Sequence, residues 1–315
     1  MQLPCPPHRS HTRPLAPNAN PVYPSHMRIA LIANLAKPDA VAASHHLQTS
    51  LAARAELIAL TDPDTAVLHA AKPDLVVVLG GDGSILRVAH IMAGMTTAVA
   101  GINFGKLGYL AAFSLPEFER HLDIILRGHA SVTNRLMLEG SIYPTAASEL
   151  TPLPDLLAQE PRFKHLALND IVVNAGEPFR MIELHMRVNE QDTTTFRSDG
   201  VIVATSSGST GYNLSAGGPL IMPGVPALVV TPLCPHSLSF RPVVLPDSAT
   251  IVIHPHRVNP GTRINFDGQV TRPISEDECL VIRRAAHGLN LLENPALSHW
   301  RMLASKLHWA QSPRN

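Results

Sequence analysis

The sequence predicts an α/β N-terminal domain with an open Rossmann-like sheet, then an all-β C-terminal domain, then a C-terminal helix. Three observations predict it. Bare β-branched runs alternate with helical stretches as far as residue 126. Beyond residue 161 come short runs of Val, Ile, Thr and Leu bounded by Gly, Pro and Asn. Helical spacing returns after residue 295.

The elements follow in order. Residues 28–34 form a short apolar run and read as an opening strand. The Ala-rich stretch 39–60 reads as one helix. Residues 74–79 (DLVVVL) lack any alternation, as expected of a parallel strand buried on both faces. Residues 84–95 read as helix and 97–103 as strand. In 116–126, Phe118, Leu122, Ile125 and Leu126 recur at helical spacing behind a starting proline. Residues 144–161 hold four prolines and read as a loop. Strands are expected over 165–174, 181–188, 194–196, 200–204, 227–231, 250–254 and 279–283, and a helix over 295–307. The domain division that follows is 27–143 (α/β), 144–290 (β-rich) and 291–315 (helical, packing back on the first domain), with a cleft between the two main parts.

Residues 1–26 stand apart. They hold seven prolines and no acidic residue, so a helix is excluded and a disordered tail is expected. An alternative is that translation starts at Met27, where the first strand begins.

Composition narrows the function. The chain has 315 residues, with 25 Lys and Arg against 25 Asp and Glu. That balance gives no general attraction to nucleic acid or to a membrane. Three cysteines without metal or redox spacing fit a reducing, cytoplasmic compartment.

The strongest local signal is Gly80-Gly81-Asp82-Gly83-Ser84, directly after the DLVVVL run and before a helix. Glycines let the backbone take positive φ and approach a ligand closely. Their amides and the helix N-terminus favour phosphate. No Gly-Lys-Ser/Thr follows, so this is not a Walker loop, and the spacing is not that of a dinucleotide fingerprint. A carboxylate in an anion-binding turn either meets a metal or takes a proton from an attacking hydroxyl, both of which are roles in phosphoryl transfer. The bland alternative is that Asp82 caps the helix. A second constellation is Arg197-Ser198-Asp199-Gly200 with the run from Ser207 to Pro219. Its hydroxyls and open backbone suit a polyhydroxylated, phosphate-bearing ligand. Asn169-Asp170 closes an apolar strand segment and alone reads as a turn. His254-Pro255-His256 could ligate a metal, but it reads better as the end of a strand.

The combination resembles the bacterial NAD kinases. The matching segments are Gly80–Gly83, Gly101–Asn103 with Gly105–Leu110, Asn169-Asp170, Ser198–Gly200, Gly208–Pro219, Pro235–Pro242 and Asp267–Gln269, in family order. The resemblance implies transfer of the γ-phosphoryl group of ATP, with polyphosphate as another candidate donor, to the 2′-hydroxyl of the adenosine ribose of NAD. It implies Asp82 as general base, with Gly83 beside it and Arg87 at a basic nucleotide contact. Asn169 and Asp170 would grip NAD; the family usually has Glu at the second position, so Asp170 has a shorter reach. Arg180, Arg197 and Asp199 occupy further NAD-binding positions. Thr210, Gly211, Tyr212, Asn213, Leu214 and Ser215 match the loop that wraps the dinucleotide, and Gln269 is the last contact. No dedicated metal ligand is expected; Mg²⁺ would arrive with ATP. A homo-oligomer, dimer or tetramer, is the family expectation. Two alternatives stand beside this one. A diacylglycerol-type lipid kinase shares the glycine turn, and a non-enzymatic nucleotide sensor could use the same scaffold.

Overall fold

The computed structural model describes residues 27–33, 37–105, 108–144 and 151–307. The expected tail, the Lys106-Leu107 step and the end of the last helical segment lie outside the described residues.

The first part runs β1 (Arg28–Ala33), α1 (Pro38–Leu51), β2 (Glu56–Leu60), α2 (Thr65–Ala71), β3 (Leu75–Leu79), α3 (Asp82–Met92), β4 (Ala98–Ile102), α4 (Leu115–Leu126) and β5 (Val132–Arg135). The second runs β6 (Leu138–Pro144), α5 (Leu153–Leu157), β7 (Phe163–Ala167), β8 (Asp170–Asn174), β9 (Ile182–Val188), β10 (Gln191–Ser198) and β11 (Gly200–Thr205). A 3₁₀ turn (Gly208–Thr210) and α6 (Tyr212–Ser215) precede β12 (Ala227–Leu233), β13 (Val243–Pro246), β14 (Ile251–Arg257), β15 (Arg263–Phe266), β16 (Val270–Pro273) and β17 (Glu278–Arg284). Last come β18 (Leu289–Leu292) and α7 (His299–Leu307).

The predicted architecture is present. The first sheet has the order β2-β1-β3-β4-β18-β5, with β2, β1, β3 and β4 all parallel. Every residue of β3 and β4 is buried, which is why those strands show no polar alternation. One face is covered by α1 and α4 through Leu47, Leu51, Phe118 and Leu122. The other is covered by α3 through Ile85, Val88, Ala89 and Met92. A capping box at Ser114 and Glu117, with Pro116 in the first turn, fixes where α4 starts.

The two remaining sheets are antiparallel, with orders β10-β9-β14-β17-β6-β7 and β13-β12-β11-β8-β15-β16. Their inner faces share one apolar core that includes Ile142, Ile182, Leu184, Val201, Val203, Ile253, Phe266 and Leu280. This is a sandwich.

Several elements differ from the expectation. The helix expected over 39–60 stops at Leu51, and 56–60 form an edge strand parallel to β1. Alanine favours helix locally, but Leu57 and Ile58 find their burial beside β1, and tertiary pairing wins. The strand expected over 165–174 is two strands, β7 and β8, in different sheets. β6 joins the second sheet, so that sheet begins at Leu138. β18 returns to the first sheet and lies between β4 and β5.

The seam between the parts is α3 against β7. His90 and His165 meet across it with ring centroids 4.8 Å apart and planes tilted by 48°. Burial, and then the neighbouring His165, push the His90 imidazole down to about 4, so it is neutral at pH 7. Leu168 sits in the same apolar cluster as Ile85 and Ala111. That cluster joins the glycine turn to the strand segment ending at Asn169.

Candidate functional site

Asp82 is the first residue of α3, but it does not cap it. Gly81 is the N-cap and makes no side-chain cap bond. The Asp82 carboxylate instead reaches across to the loop after β4. Oδ2 accepts from the amide of Tyr109 at 2.9 Å, and Oδ1 accepts from the amides of Leu110 at 3.1 Å and Ala111 at 2.9 Å. The capping alternative is thereby replaced by a pinning contact. The glycines also differ from expectation, for none of Gly80, Gly81 and Gly83 takes positive φ. Their use is space: a Cβ on Gly81 or Gly83 would have no heavy atom within 4 Å. Gly108 is the close approach, where a Cβ would stand 1.8 Å from Asp82 Oδ1.

Gly81, Asp82, Asn103, Phe104 and Gly108 line a cleft of about 500 Å³ that also receives Lys37, Asp39 and Lys306. Two ammonium groups and the N-terminus of α3 make this an anion-favouring cleft. Sequence reasoning missed Lys306. It lies on α7, more than two hundred residues from Asp82, and only the return of the chain to the first sheet brings it there.

On the other side of the seam, Asp170 opens β8 and is buried. Asp267, in the turn between β15 and β16, accepts the amides of Leu168 (2.7 Å), Asn169 (2.7 Å) and Asp170 (3.0 Å). It was read only as part of a matching segment; its structural task was not visible. The 3₁₀ turn packs on the same corner. A Cβ on Gly208 would lie 2.1 Å from the Asn169 carbonyl oxygen, and one on Gly211 would lie 3.8 Å from Asn169 Nδ2 and 3.9 Å from Asp170 Oδ2. Asn169 Oδ1 is buried without a hydrogen-bond partner, which leaves it an acceptor with capacity to spare. Gln269 sits in the Asp267 turn, its amide donating to the Phe266 carbonyl.

Burial, and then the charge of Asp267, raise Asp170 to about 7. Burial raises Asp267 to about 6 against the pull of its three amides. Asp267, with those donors, ionises first, and its charge holds the proton on Asp170. Both folded values lie above the unfolded ones, so the native state holds protons that the unfolded chain releases. The stability this brings is complete below about pH 4 and is lost as pH rises through 6 to 7. Asp170→Asn keeps the shape and cannot ionise. It is expected to stabilise the fold at pH 8 by about 1–4 kcal/mol, with the gain shrinking toward pH 4. Denaturant melts of both proteins at the two pH values check this; equal differences at both would overturn it.

The remaining candidates divide. Thr210 Oγ1 donates to the Ser207 carbonyl, while Tyr212 and Ser215 are exposed and Leu214 half-buried around the same loop. Asn213 is fully buried. Its amide donates to the Ser209 and Pro219 carbonyls and accepts from Thr231 Oγ1, so its side chain holds the loop. Arg87 turns to Asp62, with Nη2 and Oδ1 2.5 Å apart. Arg180, Arg197 and Asp199 are exposed and lie at the opposite end of β8 and β11. The Asp199 carbonyl accepts from Ala175, five residues along from Asp170, roughly 16 Å at about 3.3 Å per residue. The structure therefore gathers Asn169, Asp170, the 210–215 loop and Gln269 at one corner. Asp82 and Gly83 lie across the seam, and Arg180, Arg197 and Asp199 form a separate group.

Comparison with known proteins follows the same division. Residues 25–130 match the ATP-NAD kinase N-terminal domain model, and residues 168–293 match the ATP-NAD kinase C-terminal domain model. The chain is 33% identical over 298 residues to an NAD kinase of Magnetococcus marinus, covering 90% of this chain and 94% of that one. It is 39% identical to an NAD kinase of Aromatoleum aromaticum, covering 78% of this chain and 77% of that one. Among solved structures, an NAD kinase from Archaeoglobus fulgidus in complex with ATP superposes with a TM-score of 0.71 at 26% identity, over 90% of this chain and 99% of that one. Yeast NADH kinase complexed with NADH shares the fold, with a TM-score of 0.78 at 22% identity over 92% and 89% of the two chains. Nothing in these matches supports the lipid-kinase alternative. With both domain models matched in order along one chain, and a relative a third identical over nearly its whole length, the chain belongs to the NAD kinase family, whose activity is the ATP-dependent phosphorylation of NAD.

Proposed function

We propose that the chain transfers the γ-phosphoryl group of ATP to the 2′-hydroxyl of the adenosine ribose of NAD, with Asp82 as the general base, and forms NADP. The observation that carries this is the Asp82 carboxylate, fixed by three amides at the head of α3 beside two glycines with open space above them. An ionised carboxylate offers about four acceptor positions, so three amides leave one for a hydroxyl proton. The ribose oxygen attacks the γ-phosphorus, its proton passes to Asp82, the bond to the β-phosphate oxygen breaks, and ADP leaves. Such a transfer depends on positioning and charge neutralisation, which Gly83, the start of α3, Lys37 and Lys306 would supply to the phosphates.

Asn169 Oδ1, Asp170, the 210–215 loop and Gln269 form the surface offered to NAD. No three carboxylates, histidines or cysteines converge as a metal cage among the described residues. That donor set fits a Mg²⁺ that brings phosphate and water as most of its ligands, with Asp82 and Asp39 the carboxylates within the cleft. When bound, the metal neutralises charge on the transferring phosphate. Arg180, Arg197 and Asp199 cannot meet Asp170 within one chain. Their separation supports a homo-oligomer in which a second copy presents them. A cytoplasmic protein that binds neither nucleic acid nor membrane agrees with the balanced charge. Among the described residues no helix is long and apolar enough to cross a membrane.

The test is NADP formation by the purified full chain with NAD and Mg²⁺, given ATP, polyphosphate or no donor. ATP-dependent NADP supports the proposal. NADP only with polyphosphate overturns the donor, and none with either overturns the activity.

A further inference from the structure

A second cavity of about 400 Å³ lies between Tyr109, Arg135, Met222 and the segment after β18. That volume is of ligand size. None of the residues assigned above to NAD or ATP lines it.

Two of its polar groups, on Arg135 and Tyr109, lack a hydrogen-bond partner. Arg135 is only 6% exposed, and its Nε has no hydrogen-bond partner. Glu293, on the same wall, acts on Arg135 electrostatically, but it accepts a hydrogen bond from the Thr133 hydroxyl, and among the described residues no ion pair joins it to Arg135. The Tyr109 hydroxyl, on the same cavity, is likewise buried without a partner. A guanidinium N–H taken out of water and left without an acceptor is costly, and a planar fork is the natural partner of a carboxylate or phosphate. The rest of the wall mixes apolar and aromatic side chains, Met222, Leu291, Trp300 and Met302 among them, with the polar Glu293, Asn294, Ser298 and His299. Arg135 stands at the end of β5, where Leu289 of β18 is its strand partner.

We propose that this cavity is a second ligand site, for a small organic acid whose anionic group lies against Arg135 and the Tyr109 hydroxyl and whose body packs on Met222 and Trp300. The acid is a carboxylate or a phosphate monoester. The site shares no lining residue with the Asp82 cleft, which it borders at Tyr109, and it does not depend on the kinase assignment.

Trp300 on the wall is a local reporter. In the full chain carrying Trp309→Phe, emission is titrated with sodium benzoate and, separately, phenyl phosphate, with chloride at equal ionic strength as control. A saturable change with at least one probe is expected, and the stronger arm names the anion. Arg135→Gln should weaken it at least tenfold, and Arg135→Lys should fall between. Ser298→Phe, which fills the mouth from an exposed position, should abolish it while leaving the guanidinium in place. Thermal melts of each variant identify any that fail to fold, and Ser298→Phe then decides. No saturable change in the parent would overturn the proposal, as would a change that survives both Arg135→Gln and Ser298→Phe; the cavity would then hold water only.

Discussion

Asp82→Asn is expected to lower kcat by about 10²–10⁴-fold, with a much smaller change in the KM for NAD. The variant keeps the volume of the side chain and one of its oxygens. That oxygen can still accept from Leu110 and Ala111, while the new NH₂ faces the Tyr109 amide, which it cannot satisfy. What is lost is the ability to take a proton from the ribose hydroxyl. Steady-state kinetics in both substrates separates this from its rivals. If Asp82 mainly positions Mg·ATP, the loss would fall on the KM for ATP and be relieved by more Mg²⁺. Wild-type turnover would sink the catalytic assignment.

Gly108→Ala is expected to cost at least about 10²-fold in rate, although it changes no charge and no acid or base. Its Cβ would stand 1.8 Å from Asp82 Oδ1 and 2.6 Å from Cγ. No heavy atoms coexist at such distances, so the carboxylate must swing off its three amides. The amides of residues 109–111 should then lose hydrogen-exchange protection in the variant, while β3 and α4 keep theirs. A variant with wild-type rate and exposed amides would mean that the pin is not needed for turnover. The two substitutions test different things: one removes the basicity and leaves the side chain in place, the other keeps the base and moves it.

Much of the first domain was legible because burial writes itself locally. DLVVVL before Gly80-Gly81-Asp82 carries both the strand and the turn within a dozen residues. Asn169-Asp170 alone reads as a turn, and only its place among the other motifs, with the 210–215 loop, makes it a candidate. The misses share a cause. The three-amide contacts of Asp82 and of Asp267, the reach of Lys306 and the spent amide of Asn213 are all long-range or inward-facing. A residue type cannot tell which neighbour it meets. Asn213 sits amid a dense run of Gly and Ser and reads as ligand-facing, yet it bonds the loop that carries it. The ends of β8 and β11 were invisible for a related reason: strand register alone puts Arg197 and Asp199 far from Asp170.

β18 is the last of the described strands and belongs to the sheet that begins first. Until Leu289–Leu292 leave the ribosome, β4 and β5 have no strand between them. Domains usually fold in the order of their synthesis, but here the leading one must wait for the tail of the message. In that interval the newborn sheet presents an open edge at β4, made of Ala98–Ile102, fully apolar and unpaired on one side. The trailing sandwich, by contrast, holds its described strands in one span from Leu138 to Arg284 and does not wait for β18. A released chain truncated short of residue 289 would carry every strand of the sandwich and an unsealed first sheet, and it is expected to be a substrate for chaperones and proteases rather than a shorter enzyme.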